Sequence, residues 1–241
     1  MQGEVFLQNA GETCQPELGN TVEESIEVLV DVHRVERLMS RHGLDRSTAT
    51  QVVQGKLCLD GVLHRQRRKA HLRKYRDRSI LERALKDGRP RMFALHGQRV
   101  IIVRVKEVRS YDLDVLHLGP DLKPTGERET IHKLQFKFGA YFDHAQRMHK
   151  EISVCDQANQ TAAPIPKPQD RYAISDKKLF GWVDAKSHIC VKTLEGELVT
   201  APLSWIGRWE IGLDVQGVEL VVFRHALANI RGYKWAFSKA D

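Results

Sequence analysis

The chain has 241 residues, 41% of them hydrophobic and 29% charged, enough for a real core arranged in one or two domains. Its formal net charge of +7 attracts polyanions, chiefly nucleic acid or anionic lipid. No apolar run approaches the roughly 20 residues that a bilayer-spanning helix needs. The scattered cysteines Cys14, Cys58, Cys155 and Cys190 have neither CxxC nor metal-ligand spacing and read as reduced thiols. With no signal-peptide pattern visible either, a soluble cytoplasmic protein without a membrane partner is expected.

Residues 1–20 are polar and glycine-rich and are predicted to be a disordered arm. From Val22 to His42 the positions Ile26, Leu29, Val30, Val32, Val35 and Leu38 recur at helical spacing, and Gly43 suits the C-cap. Asp45 or Ser47 can cap a second helix carrying Ala49, Val52 and Val53 on one side. After Gly55, a third amphipathic helix begins with Leu59, Val62 and Leu63. Residues 21–78 are thus read as a helical hairpin with a basic helix. The run Arg65–Arg78 holds eight Lys and Arg and one Asp, so its local charge of +7 equals that of the whole chain. Ala70, Leu72 and Tyr75 make no continuous apolar stripe there, which leaves the run mostly exposed. Its density points to phosphate contact by Arg65, Arg67, Arg68, Lys69, Arg73 and Lys74.

Beyond it, Leu81 to Leu85 reads as a short helix ending near Gly88 and Pro90. Strand patterns follow at Arg91–Leu95, Val100–Arg109, Asp112–Leu118 and Thr130–Phe138, with a Pro/Gly-rich excursion from Gly119 to Gly126. Residues 79–140 form a first β region. Residues 141–171, with Pro164, Pro166 and Pro168 at alternate positions, read as an extended linker. Residues 172–241 form a second β region, with strand patterns at Leu179–Val183, His188–Thr193, Leu198–Ser204, Trp209–Val215 and Val218–Arg224. The two regions match in length and order, and the turn Glu195-Gly196-Glu197 parallels His96-Gly97-Gln98, which predicts a divergent internal duplication. In the stretch Glu219–Ile230 an apolar run leads into Arg224 and His225. Such side chains are costly in a strand unless they reach a rim, a partner or a ligand.

Three segments of the second region, Ile189–Val199, Leu203–Leu213 and Val222-Phe-Arg-His-Ala226, resemble the Sm-like family, and within it the bacterial RNA chaperone Hfq. Phe223-Arg224-His225-Ala226 stands where that family has Tyr-Lys-His-Ala. The first region resembles it more faintly, through Ser79–Leu85, Gly97, Ser110-Tyr-Asp112 and Ile131-His-Lys133. The resemblance implies an α+β protein in which the N-terminal helical module is followed by two small Sm-like antiparallel β-barrel domains. It also implies binding of uridine-rich single-stranded RNA, with Trp209 as the stacking aromatic, Arg208 at the preceding glutamine, and Arg224 and His225 as the Lys-His pair. The corresponding first-region positions are Leu113, Asp114, Lys133 and Leu134; only Lys133 is retained, and an aspartate at the stacking position would repel phosphate. Edge strands of the family join into rings of six or seven, so the resemblance implies either a homo-oligomer, including a three-chain pseudo-hexameric ring, or burial of the edges within the chain.

No catalytic pattern accompanies these signals. There is no P-loop, no GxSxG elbow and no Cys–His nucleophile motif, and His144 and His149, five apart, do not share a helix face. A non-enzymatic protein without cofactor or metal is expected: an RNA chaperone or post-transcriptional regulator. Two alternatives remain open at this level, a scaffold that docks protein partners through strand edges and the helical hairpin, and a DNA-binding regulator.

Overall fold

The computed structural model describes residues 21–148, 151–154 and 163–233, with 21–30 and 146–148 described by their backbone alone. The predicted arm at 1–20, and with it Cys14, lies outside the described residues, as does Cys155. The chain divides into two units, Met1–Gln66 and Arg67–Asp241. The first holds α1 (Thr21–His42), α2 (Arg46–Val53) and the beginning of α3 (Leu59–Tyr75). Gly43, at φ 62°, ends α1 in the left-handed conformation that glycine adopts without penalty. Asp45 caps α2 by accepting the Thr48 N–H at 2.9 Å and the Thr48 hydroxyl at 2.7 Å, and these bonds hold its carboxyl below the ordinary value. Val35, Leu44, Ala49 and Val62 form the small core of this unit.

In the second unit come α4 (Ile80–Asp87), β1 (Arg91–Leu95), β2 (Val100–Val108), β3 (Asp112–Leu118), β4 (Pro124–His132) and β5 (Phe136–Tyr141). They are followed by α5 (Phe142–Met148), β6 (Ile152–Val154), α6 (Asp176–Asp184), β7 (His188–Thr193), β8 (Glu197–Ile206), β9 (Glu210–Val215), β10 (Val218–Phe223) and β11 (Leu227–Gly232). The order helix, four strands, one 3-10 turn, fifth strand occurs twice, with the turns at Lys133–Gln135 and Arg224–Ala226. Both copies start from a serine N-cap, Ser79 for α4 and Ser175 for α6. No described helix is long and apolar enough to cross a membrane.

Two separate closed barrels do not form. All eleven strands among the described residues belong to one open antiparallel sheet, ordered β11-β7-β8-β9-β10-β5-β1-β2-β3-β4, with β6 paired to β8. The merger runs through β10 and β5, which pair at Val221↔Gly139 and Val222↔Phe138. β5 explains it: every residue from Phe136 to Ala140 is buried, and so enclosed a strand requires a hydrogen-bonding neighbour on each edge. It takes β1 on one edge and β10 on the other.

Three further expectations are corrected. The apolar run Leu179–Val183 is helical, lying in α6 with Leu179 and Phe180 buried, because a five-residue apolar run carries no period of its own. The stretches 130–138 and 219–230 are each broken by a 3-10 turn, so Arg224 and His225 do not alternate across a strand. Among the described residues of 141–171 are α5, β6 and a 3-10 turn at Pro168–Asp170.

The apolar cores interlock. Leu179, Phe180, Ile206, Ile211, Leu213 and Ile230 belong to one cluster, and Ile80, Phe93, Leu113 and Phe136 to another that also takes in Trp205, Val221 and Phe223 from the second copy. Each fully buried side chain of this size contributes roughly 1.5–3 kcal/mol. Trp205 depends on a glycine. It faces Gly212 on β9, where a Cβ would stand 1.9 Å from the indole Nε1. The ring cannot swing aside freely, since Nε1–H donates to Glu219 Oε1 at 2.6 Å. Gly212→Ala is therefore expected to cost about 1–3 kcal/mol by overpacking; an unchanged Tm in thermal unfolding would contradict this placement of Trp205.

Candidate nucleic-acid groove

The end of α3 is fastened to the second copy. His71 Nε2 accepts the Ile206 N–H at 3.2 Å; burial, helped by Lys74, pushes this histidine below its ordinary pKa, which leaves the ring neutral and able to accept. Tyr75 stacks on Trp205 at 6.1 Å between centroids. The Arg208 N–H donates to the Arg76 carbonyl at 3.2 Å. Gly207 lies so close that a Cβ there would meet the Tyr75 carbonyl at 3.0 Å. The loop Gly207–Trp209 therefore rests against the C-terminal end of the basic helix.

An open groove of about 620 Å³ lies at this junction, and its walls include Arg76, Arg171, Arg208, Trp209, Arg224 and His225. Four arginines face one carboxylate, Asp176. A second hollow, of about 420 Å³ on β2–β4, has Lys106 and Arg128 against Glu107, Asp114 and Glu129. By charge, only the first suits a polyanion.

Arg208, Trp209, Arg224 and His225, singled out from the sequence, thus line one groove, with distinct roles. Trp209 is 61% exposed, and the Arg208 guanidinium sits 4.7 Å from its ring centroid. An exposed indole with a cation over it offers a surface for an unpaired base. Arg224 is held by the fold: Nη1 pairs with Asp176 at 2.9 Å and donates to the Gly207 carbonyl at 3.1 Å, while Nη2 donates to the Ile174 carbonyl at 3.1 Å. It positions the loop that carries Trp209. His225 donates from Nε2 to the Phe136 carbonyl at 2.9 Å, and burial pushes its pKa down to about 4, so it carries no charge at neutral pH. The cations facing the groove also include Arg76 and Arg171, which sequence reasoning did not single out. Arg76 was in plain view within the basic run. Arg171 closes the proline-rich segment, and nothing local marks it.

Among the basic-run residues, Arg67 pairs with Asp184 at 2.9 Å, Lys74 Nζ lies 5.0 Å from the Tyr75 ring centroid, and Arg68 is half-buried. Lys69 and Arg73 are exposed, as is Arg65, which belongs to the first unit. Among the described residues no group of three or more His, Cys, Asp or Glu side chains could hold a metal ion.

Backbone bonds align the two copies residue by residue. Gly207 N–H donates to the Glu210 carbonyl at 2.9 Å and Arg109 N–H to the Asp112 carbonyl at 3.0 Å; Arg224 N–H donates to the Trp209 carbonyl at 2.9 Å and Lys133 N–H to the Tyr111 carbonyl at 2.7 Å. The first-copy counterpart of Trp209 is therefore Tyr111, 73% exposed, and Asp114 lies three residues further along. Lys133 does correspond to Arg224, and it makes the same tie: its ammonium donates to the Arg109 carbonyl as Arg224 does to that of Gly207. Ser110 and Leu134 replace Arg208 and His225. Compared with known proteins, the chain matches no family model, no curated protein and no solved structure.

Proposed function

We propose that this chain is a non-enzymatic RNA-binding protein of the Hfq and Sm-like kind, a chaperone or post-transcriptional regulator that takes single-stranded RNA in the Trp209 groove. The observation that carries the reading is the exposed indole of Trp209, with Arg208 4.7 Å from its ring centroid, in a groove whose other cations include Arg76. A base stacks on Trp209, Arg208 and Arg76 meet the flanking phosphates, Arg224 holds the loop, and His225 ties the groove floor to the first copy. β11 and β4 end the strand order, and a homo-oligomer or ring joined through them belongs to the same proposal. Those unpaired edges also favour a second reading, a scaffold that assembles through its strands and binds no nucleic acid.

Fluorescence anisotropy with labelled oligouridylate separates the two. Stacking contributes roughly 1–3 kcal/mol per base, so Trp209→Ala is expected to weaken binding about 5- to 150-fold, and Trp209→Phe to restore most of it. Equal affinity of wild type and Trp209→Ala sinks the groove assignment. Absence of binding by the wild type, with an oligomer persisting in solution, supports the scaffold.

A further inference from the structure

We propose that the RNA strand leaves the groove along one side of α3, its phosphates held in succession by Arg76, Arg73 and Lys69. The inference rests on the reading of the groove as an RNA site and adds the path of the strand. Arg76 and Leu72 already belong to the groove wall. Arg73 and Lys69 are four apart on α3, the spacing that brings helical side chains onto one face, and Arg76 follows directly on the end of that helix. Lys69 and Arg73 are both exposed, and the four steps from Lys69 to Arg73 rise about 6 Å at 1.5 Å per residue.

The other cations of the second unit's basic run are engaged elsewhere. Arg67 pairs with Asp184 and Arg78 with Glu219 at 2.7 Å. Lys74 lies over Tyr75 and Arg68 is half-buried. Among the described residues, Lys69, Arg73 and Arg76 have no carboxylate partner, so a phosphate there replaces no existing ion pair. The end of α3 is fixed to the groove by His71 on the Ile206 N–H, Tyr75 on Trp205 and, just past the helix, the Arg208 N–H on the Arg76 carbonyl. The end of α3 and Arg76 are therefore held beside the loop that carries Trp209. A diffuse basic surface would attract RNA without a direction; this arrangement gives the strand one.

The experiment compares oligouridylates of about four and about ten nucleotides, lengths at the low end and in the middle of known single-strand sites, across a series of KCl concentrations. For single strands the slope of log K against log salt changes by about 0.7 per phosphate contact. The Lys69→Gln/Arg73→Gln double variant is expected to have a slope shallower by about 1.4 with the longer oligomer, and an unchanged slope with the shorter. The control pair Arg67→Gln/Lys74→Gln is expected to leave both slopes unchanged. A control effect as large as that of the double variant, or an equal effect of the double variant on both oligomers, overturns the track and leaves the groove standing. Failure of the wild type to bind either oligomer overturns the groove reading itself, and the track with it.

Discussion

Glu195→Ala will lower the free energy of unfolding by about 3–5 kcal/mol, the range seen when one partner of a buried ion pair is removed. Glu195 comes from the second copy, and its partners come mostly from the first. Oε1 accepts from His96 Nδ1–H at 2.9 Å and from the Gly97 N–H at 2.7 Å, while Oε2 pairs with Lys137 Nζ at 2.5 Å. Lys137 is buried with its side chain 1% exposed, and Glu197 is its other carboxylate. Burial pushes the Glu195 carboxyl up, but Lys137 and the Gly97 N–H outweigh it and leave it below its ordinary value. Burial moves His96 down against the opposing pull of Glu195, so the ring is neutral and donates from Nδ1, with Nε2 buried and unpartnered. Truncation at Glu195 removes four acceptor contacts at once, that of the Gln98 N–H at 3.3 Å included, and leaves the ammonium with one carboxylate partner. Urea unfolding measures the loss. Glu195→Gln and Glu197→Gln combined with Lys137→Met should recover most of it, because all three charges of the network are then gone. A loss below about 1 kcal/mol would place the network among weak surface pairs and refute its role.

Glu210 produces the second large effect, on the pH dependence of stability. It lies on β9 and is 3% exposed, yet it accepts from the first copy's α4 N-terminus: the Ser79 hydroxyl at 2.7 Å and the Ile80 N–H at 2.8 Å. Burial raises its carboxyl from 4.5 to about 7. A group that binds its proton more tightly when folded stabilises most below its unfolded pKa, and this contribution is lost as pH rises through the folded value. The interval from 4.5 to about 7 corresponds to roughly 3 kcal/mol. His225 acts in the opposite sense. Its pKa falls from 6.5 to about 4 on folding, so its contribution is present above 6.5 and is lost as pH falls towards 4. Between about 4.5 and 6.5 the two slopes cancel. Glu210→Gln, which stays neutral, is therefore expected to gain stability over wild type between pH 5 and pH 8, by roughly 3 kcal/mol in full. Parallel curves of unfolding free energy against pH for the two proteins would rule out this role for Glu210.

Much of this fold is legible where the sequence speaks locally. The caps at Asp45 and Gly43 and the strands β1 and β3 follow from residue type and alternation. What was not legible is of two kinds. Apart from Lys137 and Glu219, Phe136–Ala140 and Val218–Phe223 are apolar or glycine, so neither burial side nor strand partner can be read from them, and the pairing of β5 with β10 is long-range by nature. Short apolar runs likewise hid the helix at Leu179–Val183 and the turns at Lys133 and Arg224. At the groove, the residue types at Trp209, Arg208, Arg224 and His225 pointed to one place. Their division of labour depends on carbonyls at Gly207, Ile174 and Phe136, which no side-chain pattern announces. Tyr111 was missed for a simpler reason: correspondence was judged from side chains, whereas the backbone bonds decide it.

The two-residue pairing of β5 with β10 has a consequence for cooperativity. The neighbouring pair β9 and β10 is matched over six residues, so little of the cohesion between the copies comes from main-chain bonds. Beside the shared apolar cluster, it falls to Glu195 with Lys137, Glu210 with α4, and His225 with the Phe136 carbonyl, side chains whose strength varies with protonation. Acid or base will loosen the joint before it unravels either copy. A protein that melts as one body near neutrality then becomes two linked bodies towards the extremes.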